Sequence, residues 1–321
     1  MFLHIQFEYL LLLQHLRDIT GHVLDHFFSI ITMFGEVIIP TIIMSAIYWC
    51  INNKVGMYIL WNSAFAFLSN IILKITTCIY RPWMIDLRIH PVETALKSAD
   101  GYSFPSGHTA GATAVWGGTA VGFWKNKAIR YSMIALMFFV AFSRNYLGVH
   151  TPQDVTVSII VGIFFLWFSK KIFIWTQKEK NRDIILVVSI NIICLLTIVY
   201  SMIKGYPTKS NSGHILIDPE EIKLNVISRM GYVTGIFNGW LIDRRFIQFD
   251  ATIGTIKGKI IRFFIGGGLL YTIITSSKIM FLKLMGVKLG YFSQAFTLTI
   301  FITAIYPYLV STYQKATTAE E

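Results

Sequence analysis

The chain alternates long apolar runs with short polar segments, and this pattern predicts a bundle of membrane-spanning helices. A helix needs about 20 mostly apolar residues to cross the hydrocarbon core of a bilayer. Nine segments approach that length, and the seventh is the weakest because its strictly apolar part, Met230 to Ile242, is short. The nine predicted spans are 35–52, 56–79, 107–124, 129–148, 152–175, 184–203, 222–243, 260–282 and 291–313. The sequence therefore predicts an all-α, polytopic membrane protein.

Composition supports the same class. Hydrophobic residues make up 54% of the 321 residues, charged residues make up 14%, and the mean hydropathy is +0.58. A soluble domain carries roughly 25% charged residues, and a soluble protein of this size could not hide so much apolar surface from water. The three cysteines, Cys50, Cys78 and Cys194, lie in apolar runs without the spacing of a disulfide framework or a zinc site.

The positive charge of the chain predicts its orientation in the membrane. The formal net charge is +11, and many basic residues fall in three loops that alternating spans place on one side. Basic loops of this kind are typical of the cytoplasmic face, where they interact with anionic lipid headgroups. Nucleic acid is therefore not an expected partner. The polar segments 80–106 and 143–151 then share the opposite face. We expect a bacterial inner membrane with that face towards the exterior.

The first polar stretch follows the second predicted span. Lys74 lies inside an apolar helix, where an unpaired charge is costly, so it should face a wet cavity or an anion. Arg81 comes seven residues later, two turns along the same helical face, and Pro82 follows it. Two cations on one face predict an anion clamp. The alternative for either cation is snorkelling to the membrane interface.

The second polar stretch stands at the start of the third predicted span. Ser106 and Gly107 would supply free backbone N–H groups and the positive end of a helix dipole, which together bind anions. His108 would then lie close to any anion bound there. The alternative is an ordinary N-cap with an interfacial histidine.

The third polar stretch joins the fourth and fifth predicted spans and adds another cation, Arg144. Thr151 and Pro152 predict a helix start, with Thr151 as the N-cap and Asp154 at the third helical position. Asp154 is therefore a candidate capping carboxylate. It is also close enough in sequence to His150 to fix the tautomer of that imidazole, as the acid of a catalytic triad does.

The three stretches together predict phosphoryl chemistry on one membrane face. They combine three cations, two histidines and one carboxylate. A phosphate monoester carries a charge near −2, and its transfer requires positioning and electrostatic stabilisation more than covalent help. One histidine could attack phosphorus while the other protonates the leaving oxygen. The sequence has no metal-binding motif, so no metal is expected.

The three stretches resemble, in order and at every position, the three-part motif of the type 2 phosphatidic acid phosphatase family. The match covers residues 74–154 and is specific only as a set. Its parts are Lys74-x6-Arg81-Pro82, Pro105-Ser106-Gly107-His108 and Ser143-Arg144-x5-His150-x3-Asp154.

The resemblance implies a role for each matched residue. His150 would be the nucleophile that forms a phosphohistidine, and Asp154 would orient and polarise it. His108 would protonate the leaving group and then activate water. The resemblance also implies that no metal or organic cofactor is needed. The remaining residues that would hold the phosphoryl oxygens are Lys74, Arg81, Ser106, Gly107 and Arg144.

The apolar pattern and the resemblance together predict a division of the chain, and the resemblance supplies the six-helix core. Residues 1–20 are expected to form an amphipathic segment at the membrane surface, and residues 21–203 a catalytic core of six helices. Residues 204–321 would be an extension with about three further spans after an external loop at 204–221. Pro219 in that loop predicts the start of the seventh helix.

The leading hypothesis is a membrane phosphatase acting on a lipid phosphate monoester resembling phosphatidic acid, at the extracytoplasmic face. Alternative substrates are a polyprenyl pyrophosphate such as undecaprenyl pyrophosphate, a sphingoid-base phosphate and a soluble sugar phosphate. A different class, a non-catalytic binder or transporter of lipid phosphates, would need the cations but not the histidine pair. The expected partners are the substrate and membrane lipids.

Overall fold

The computed structural model describes residues 2–208 and 217–319, and the regular secondary structure in these ranges is helical, as predicted. Short π-helical segments at 47–51, 113–117, 243–247 and 301–305 continue neighbouring helices. The α-helices are α1 Phe2–Ile19, α2 Val23–Met33, α3 Ile38–Ala46, α4 Asn53–Thr77, α5 Pro82–Ile85, α6 Glu93–Leu96, α7 Gly107–Ala112, α8 Gly118–Gly122, α9 Lys127–Tyr146, α10 Pro152–Lys178, α11 Arg182–Ile203, α12 Pro219–Ile242, α13 Ile256–Met285, α14 Val287–Ile300 and α15 Tyr306–Ala319.

Five helical segments of the described chain are long and apolar enough to cross a membrane, and a bent pair formed by α2 and α3 would be a sixth. The predicted spans 107–124, 129–148 and 222–243 are also helical, but fall short of that standard in length or apolar content. The count of nine spans therefore stays a prediction. The five segments are Asn53–Ile85, Pro152–Lys178, Arg182–Ile203, Ile256–Met285 and Val287–Lys315.

The first predicted span, 35–52, begins three residues before α3, and the pattern of apolar residues did not predict α2. The chain is bent by 46° between α2 and α3, at residues 34–37. Gly35 lies at this bend, and a Cβ there would come within 2.7 Å of the Val140 side chain. The close packing of the bend, which an apolar run does not reveal, is the physical reason for the difference.

Of the predicted N-terminal segment 1–20, Phe2–Ile19 form the helix α1, which carries apolar side chains on both its buried and its exposed face. Phe7, Leu10 and Leu13 are buried on one face, whereas Leu12 and Ile19 are exposed. Its location at a membrane surface stays a prediction. Residues 209–216 of the predicted external loop 204–221 lie outside the described residues, and α12 begins at Pro219 as predicted.

The chain forms two compact units. The first unit comprises Met1–Pro40, Ser69–Trp167 and Lys204–Ile222, and contains all three polar stretches. In its core, Phe28 of α2 packs on Tyr146 at the end of α9, with ring centroids 4.2 Å apart. Leu147 and Val149 are buried in the same cluster, which fixes the loop between α9 and α10.

The second unit comprises Thr41–Leu68, Phe168–Ile203 and Lys223–Glu321. Three glycines spaced four residues apart on α12 face α14 and the π-helical segment that continues it. A Cβ on Gly231 would contact the carbonyl of Phe292, and one on Gly235 or Gly239 would contact a threonine side chain, Thr299 or Thr303 respectively. Small residues at this spacing let two helix backbones approach closely inside a membrane.

Large apolar side chains cover the outer surface of several helices. On α10, Ile160, Ile163, Phe164 and Trp167 are all exposed. A continuous apolar face of this kind is unfavourable in water and favourable against lipid. The protein is therefore an integral membrane protein.

Candidate active site

The three polar stretches meet in the first unit, around His150. This histidine is in the loop between α9 and α10 and is almost completely buried. Its Nδ1 lies 3.2 Å from Oδ2 of Asp154, which is also buried. Ser103 donates a hydrogen bond of 2.6 Å to the same carboxylate oxygen. The carboxylate is thus held between the serine hydroxyl and the imidazole.

Arg81 defines the tautomer of His150. Its Nη1 lies 2.8 Å from Nε2 of the imidazole, and a guanidinium only donates hydrogen bonds. Nε2 therefore carries a lone pair, and the proton is on Nδ1, facing Asp154. An imidazole in this form presents Nε2 as a nucleophile.

Three backbone carbonyls hold the Arg81 guanidinium in place. Nε donates to Gly101 at 3.2 Å, Nη2 to Asp100 at 2.9 Å, and Nη1 to Val149 at 3.0 Å. The side chain is buried in protein, which does not fit the alternative of snorkelling to the membrane interface.

Lys74 lies in the last turn of α4, and its Nζ donates to the carbonyls of Tyr102 and Ser103 at 2.6 and 3.2 Å. One carbonyl belongs to Ser103, the serine that contacts Asp154, and the other belongs to the residue before it. Lys74 therefore supports the backbone beside the His150–Asp154 pair and adds positive charge there.

Asp154 also fulfils the capping role that the sequence left open. Its Oδ2 accepts a hydrogen bond of 2.9 Å from the backbone N–H of Thr151, and the Thr151 hydroxyl accepts one of 3.3 Å from the backbone N–H of Asp154. This reciprocal pair is a capping box, and α10 begins at Pro152 as predicted. The two interpretations of Asp154 are therefore compatible.

Ser106 caps α7, which begins at Gly107 as predicted. Its hydroxyl accepts a hydrogen bond from the backbone N–H of Thr109 at 3.4 Å. Its own N–H donates to the Asp154 carbonyl at 3.1 Å, and its carbonyl accepts from the Ser158 hydroxyl at 2.9 Å. The start of α7 is thereby joined to the first turns of α10.

Arg144 at the end of α9 is fully buried, and its Nη1 donates to the Thr32 hydroxyl at 2.7 Å. Its Nε and Nη2 have no hydrogen-bond partner among the described residues. Buried donors without acceptors are costly, and two adjacent guanidinium N–H groups match the oxygens of a phosphate.

His108 in the first turn of α7 faces Glu36, whose Oε1 lies 3.8 Å from Nε2 of the imidazole. Sequence reasoning missed Glu36 and Thr32, which lie far upstream of the three stretches in a region without a recognisable motif. It also missed Ser103. The only available signal for Ser103 was its position three residues before Ser106.

A cavity of about 460 Å³ lies beside these residues, and Thr32 and Glu36 form part of its wall. The cavity therefore borders the side chains that contact Arg144 and His108. The other residues that line it are His26, Ser29, Ile30, Met33, Thr94, Lys97 and Ser98.

Burial lowers the pKa of His150 well below its usual value, and the positive charges of Arg81 and Arg144 lower it further. Both effects disfavour the imidazolium. They keep His150 in the neutral form that a nucleophile requires.

In the part of the chain that the structure describes, no group of three His, Cys, Asp or Glu side chains is arranged to hold a metal ion. Whether catalysis is independent of metal stays a prediction, because it concerns activity.

Two family models match the chain. The PAP2 superfamily matches residues 55–178, which include all three polar stretches. The PAP2 superfamily phosphatase transmembrane extension matches residues 227–318. Together these matches cover more than half of the chain.

A curated relative, the undecaprenyl-diphosphatase BcrC of Bacillus subtilis (strain 168), is 29% identical over 154 residues, which are 46% of this chain and 76% of the relative. No solved structure matches the chain significantly. With its motifs, its helical fold and both family matches in agreement, the chain belongs to the PAP2 superfamily, whose members are phosphatases.

Proposed function

We propose that this protein is a membrane phosphatase that hydrolyses a lipid phosphate through a phosphohistidine intermediate. The observation that carries the proposal is the arrangement around His150. Asp154 lies 3.2 Å from Nδ1, and Arg81 lies 2.8 Å from Nε2. This geometry orients a neutral imidazole so that its lone pair points towards the Arg81 guanidinium. A phosphoryl group would be held beside the same guanidinium.

The first step transfers the phosphoryl group to the enzyme. Nε2 of His150 forms a bond to phosphorus as the bond between phosphorus and the leaving oxygen breaks. His108 gives its proton to that oxygen, and the lipid alcohol leaves. Asp154 stabilises the positive charge that develops on the His150 ring.

The second step regenerates the enzyme. His108, now neutral, takes a proton from water as the water oxygen attacks phosphorus. The bond between phosphorus and Nε2 of His150 breaks, and inorganic phosphate is released. Both histidines return to their starting protonation states, so the cycle needs no other co-reactant.

The remaining matched residues would hold the phosphoryl oxygens. Arg144 offers two buried N–H donors, Nε and Nη2, and Arg81 adds positive charge beside Nε2 of His150. The backbone N–H of Gly107 would add a donor from the start of α7, next to Ser106. Lys74 adds charge at longer range. Fixed donors aimed at the transferring group stabilise its charge without reorganisation.

We propose a lipid monoester resembling phosphatidic acid as the first substrate candidate and a polyprenyl pyrophosphate as the second. The name of the Bacillus subtilis relative, undecaprenyl-diphosphatase, specifically favours the second. A sphingoid-base phosphate or a sugar phosphate has no such support. We place the site on the extracytoplasmic face of a bacterial inner membrane, because basic loops favour the opposite face.

We further propose that residues 21–203 form the catalytic core and residues 204–321 a membrane extension. The PAP2 match at 55–178 supports the first assignment. The match to the transmembrane extension at 227–318 supports the second.

Phosphate release by the detergent-purified protein tests the proposal. The panel contains phosphatidate, phosphatidylglycerol phosphate, undecaprenyl pyrophosphate, a sphingoid phosphate and glucose 6-phosphate, each with a chelator present and each beside His150→Ala. We expect release from at least one lipid, survival of that activity in the chelator, and its loss in the variant.

Two results would contradict the proposal. Release that persists in His150→Ala would exclude the phosphohistidine, and activity abolished by the chelator would exclude the metal-free mechanism. A folded wild-type protein that binds lipid phosphates without turnover, equally well with or without His150, would instead support a binder or transporter.

A further inference from the structure

The last turn of α2 and the segment that joins it to α3, residues 32–37, contact the candidate active site. Thr32 accepts a hydrogen bond of 2.7 Å from the buried Arg144, and the Phe34 carbonyl accepts one of 2.8 Å from Nε1 of Trp116. Arg144 belongs to α9, and Trp116 belongs to the π-helical segment 113–117. The segment is therefore fixed at two points. It lies before residue 55 and therefore outside the PAP2 match.

The same segment packs directly on His108. A Cβ on Gly35 would lie 3.0 Å from both the Cβ and the carbonyl oxygen of His108, so the backbone there approaches as closely as a glycine permits. This approach places the next residue, Glu36, with its carboxylate 3.8 Å from Nε2 of His108. That nitrogen has no hydrogen-bond partner among the described residues.

The charges around His108 make this carboxylate important. Burial and the positive charges of Arg144 and Arg81 disfavour the imidazolium of His108, His150 lies nearby, and Glu36 is the anion that favours it. Asp154, the other carboxylate of the site, is already engaged with His150 and Ser103. A general acid must hold a proton before it can donate one, and neighbouring cations oppose that protonation.

We propose that Glu36 is the positioning residue of the general acid: its carboxylate favours the protonated form of His108 in the free enzyme. This inference rests on the proposed function. The site then contains two carboxylate–imidazole pairs with opposite effects. Asp154 supports a nucleophile that starts neutral, and Glu36 supports an acid that starts charged. Glu36 remains ionised throughout, because the proton that moves is the one on His108.

The test compares Glu36→Gln with wild type on two probes. Dioleoyl phosphatidate has a poor alkoxide leaving group that needs an acid, whereas p-nitrophenyl phosphate has a good leaving group that does not. We expect Glu36→Gln to lower kcat/KM for phosphatidate about tenfold at pH 8 and to leave p-nitrophenyl phosphate within about twofold. Glu8→Gln is the matched control, because Glu8 is exposed and pairs with Arg88 at the surface.

The pH profile separates positioning from a merely structural role. The pH profile of kcat/KM reports the titrating groups of the free enzyme. Its basic limb should move to lower pH by about one unit in Glu36→Gln. The reason is that this variant loses an anion 3.8 Å from the imidazolium. Glu36→Asp, which keeps the charge, should restore most of the shift. If the Gln variant does not fold, Glu36→Ala is measured in the same way.

An unchanged basic limb in either uncharged variant would overturn the inference, as would equal losses on both probes. Failure of the proposed function looks different. If His150→Ala retains full activity, or wild type hydrolyses neither these probes nor any lipid of the panel above, both proposals fall. If His150→Ala is inactive and Glu36→Gln behaves as Glu8→Gln, only the role of Glu36 is lost.

Discussion

The carboxylate of Asp154 makes two kinds of interaction through one oxygen. Oδ2 accepts the backbone N–H of Thr151 and lies within 3.2 Å of Nδ1 of His150. A neutral amide at this position could still accept the backbone hydrogen bond, since Asn and Asp are similar capping residues. It could not stabilise a positive charge on the imidazole.

Asp154→Asn should therefore separate the two roles. We expect kcat to fall by about two to four orders of magnitude, by analogy with other acids that orient a catalytic histidine. The apparent Tm in detergent should change little, because the cap is worth only about 1 kcal/mol and is mostly retained. A variant that is strongly destabilised but turns over normally per folded molecule would show that capping is the main role of Asp154.

The lowered pKa of His150 predicts how stability depends on pH. An unfolded histidine has a pKa of about 6.5, whereas burial and the charges of Arg81 and Arg144 hold the folded pKa well below that value. Above about pH 6.5 neither state binds the proton, so this group has no effect. As the pH falls below that value the unfolded state gains a proton first, and stability decreases.

The measurement is the apparent Tm in detergent at pH 7.5 and 5.5. We expect the decrease between these values to be smaller in His150→Gln, which cannot titrate, than in wild type. An equal decrease in both proteins would indicate that His150 titrates normally in the folded state.

At the residue scale, sequence could predict the residues of the motif but not their neighbours. His150 and Asp154 lie close together because they are four residues apart at the start of α10, whereas Arg81, which is distant in sequence, was linked to them only by the family motif. Glu36 and Ser103 reach the site through packing of the bend at Gly35 and through the backbone held by Lys74, and neither contact leaves a pattern in the sequence.

At the scale of elements, the glycine row of α12 makes a direct prediction. Any side chain larger than hydrogen at Gly235 would overlap Thr299, and the nearby carbonyl of Phe296 lies 2.7 Å from the position of a Cβ. Gly235→Val should therefore destabilise the protein by about 1–3 kcal/mol, the usual cost of overpacking.

The measurement is the apparent Tm of Gly235→Val beside Gly267→Val. Gly267 lies on α13 with open space around the position of its Cβ, so that variant should change the Tm little, because valine is no less favourable than glycine inside a helix. Similar Tm values for the two variants would mean that α12 and α14 separate easily.

The helix starts at Gly107, Pro152 and Pro219 agree with the prediction because local chemistry defines them: a serine cap, a capping box and a proline at the first position. The bend between α2 and α3 was not predictable in this way. It depends on Gly35 meeting Val140, which is distant in sequence.

At the scale of the whole molecule, the orientation in the membrane is open to test. We expect the segment 80–106 on the extracytoplasmic face and the loop with Lys125 and Lys127 on the cytoplasmic face, because positive charge favours the cytoplasm. Single cysteines at Ser98 and Asn126, introduced after replacement of the native cysteines, report this arrangement.

A membrane-impermeant maleimide applied to intact cells should label Ser98→Cys, and should label Asn126→Cys only after the cells are opened. The reverse pattern would place the active site in the cytoplasm. Labelling of both in intact cells would contradict the alternation of spans on which the count of nine depends.

Hydropathy predicted the class of protein, whereas its count of nine crossings stays a prediction. The segments around α8, α9 and α12 carry too many polar groups or too few residues to be recognised by length and apolar content alone. Arg144 in α9 shows why, since a helix that contributes a buried charge to a site is less apolar than one that faces only lipid.

The capping box at Thr151 and Asp154 has a consequence for motion. Because one carboxylate oxygen holds both the N–H of the N-cap residue Thr151 and the imidazole of His150, fraying of that helix end would release the nucleophile at the same moment. Hydrogen exchange at the Thr151 amide would therefore measure how often the free protein leaves its reactive arrangement. Slow exchange there would mean that the nucleophile stays aligned while the protein waits for substrate.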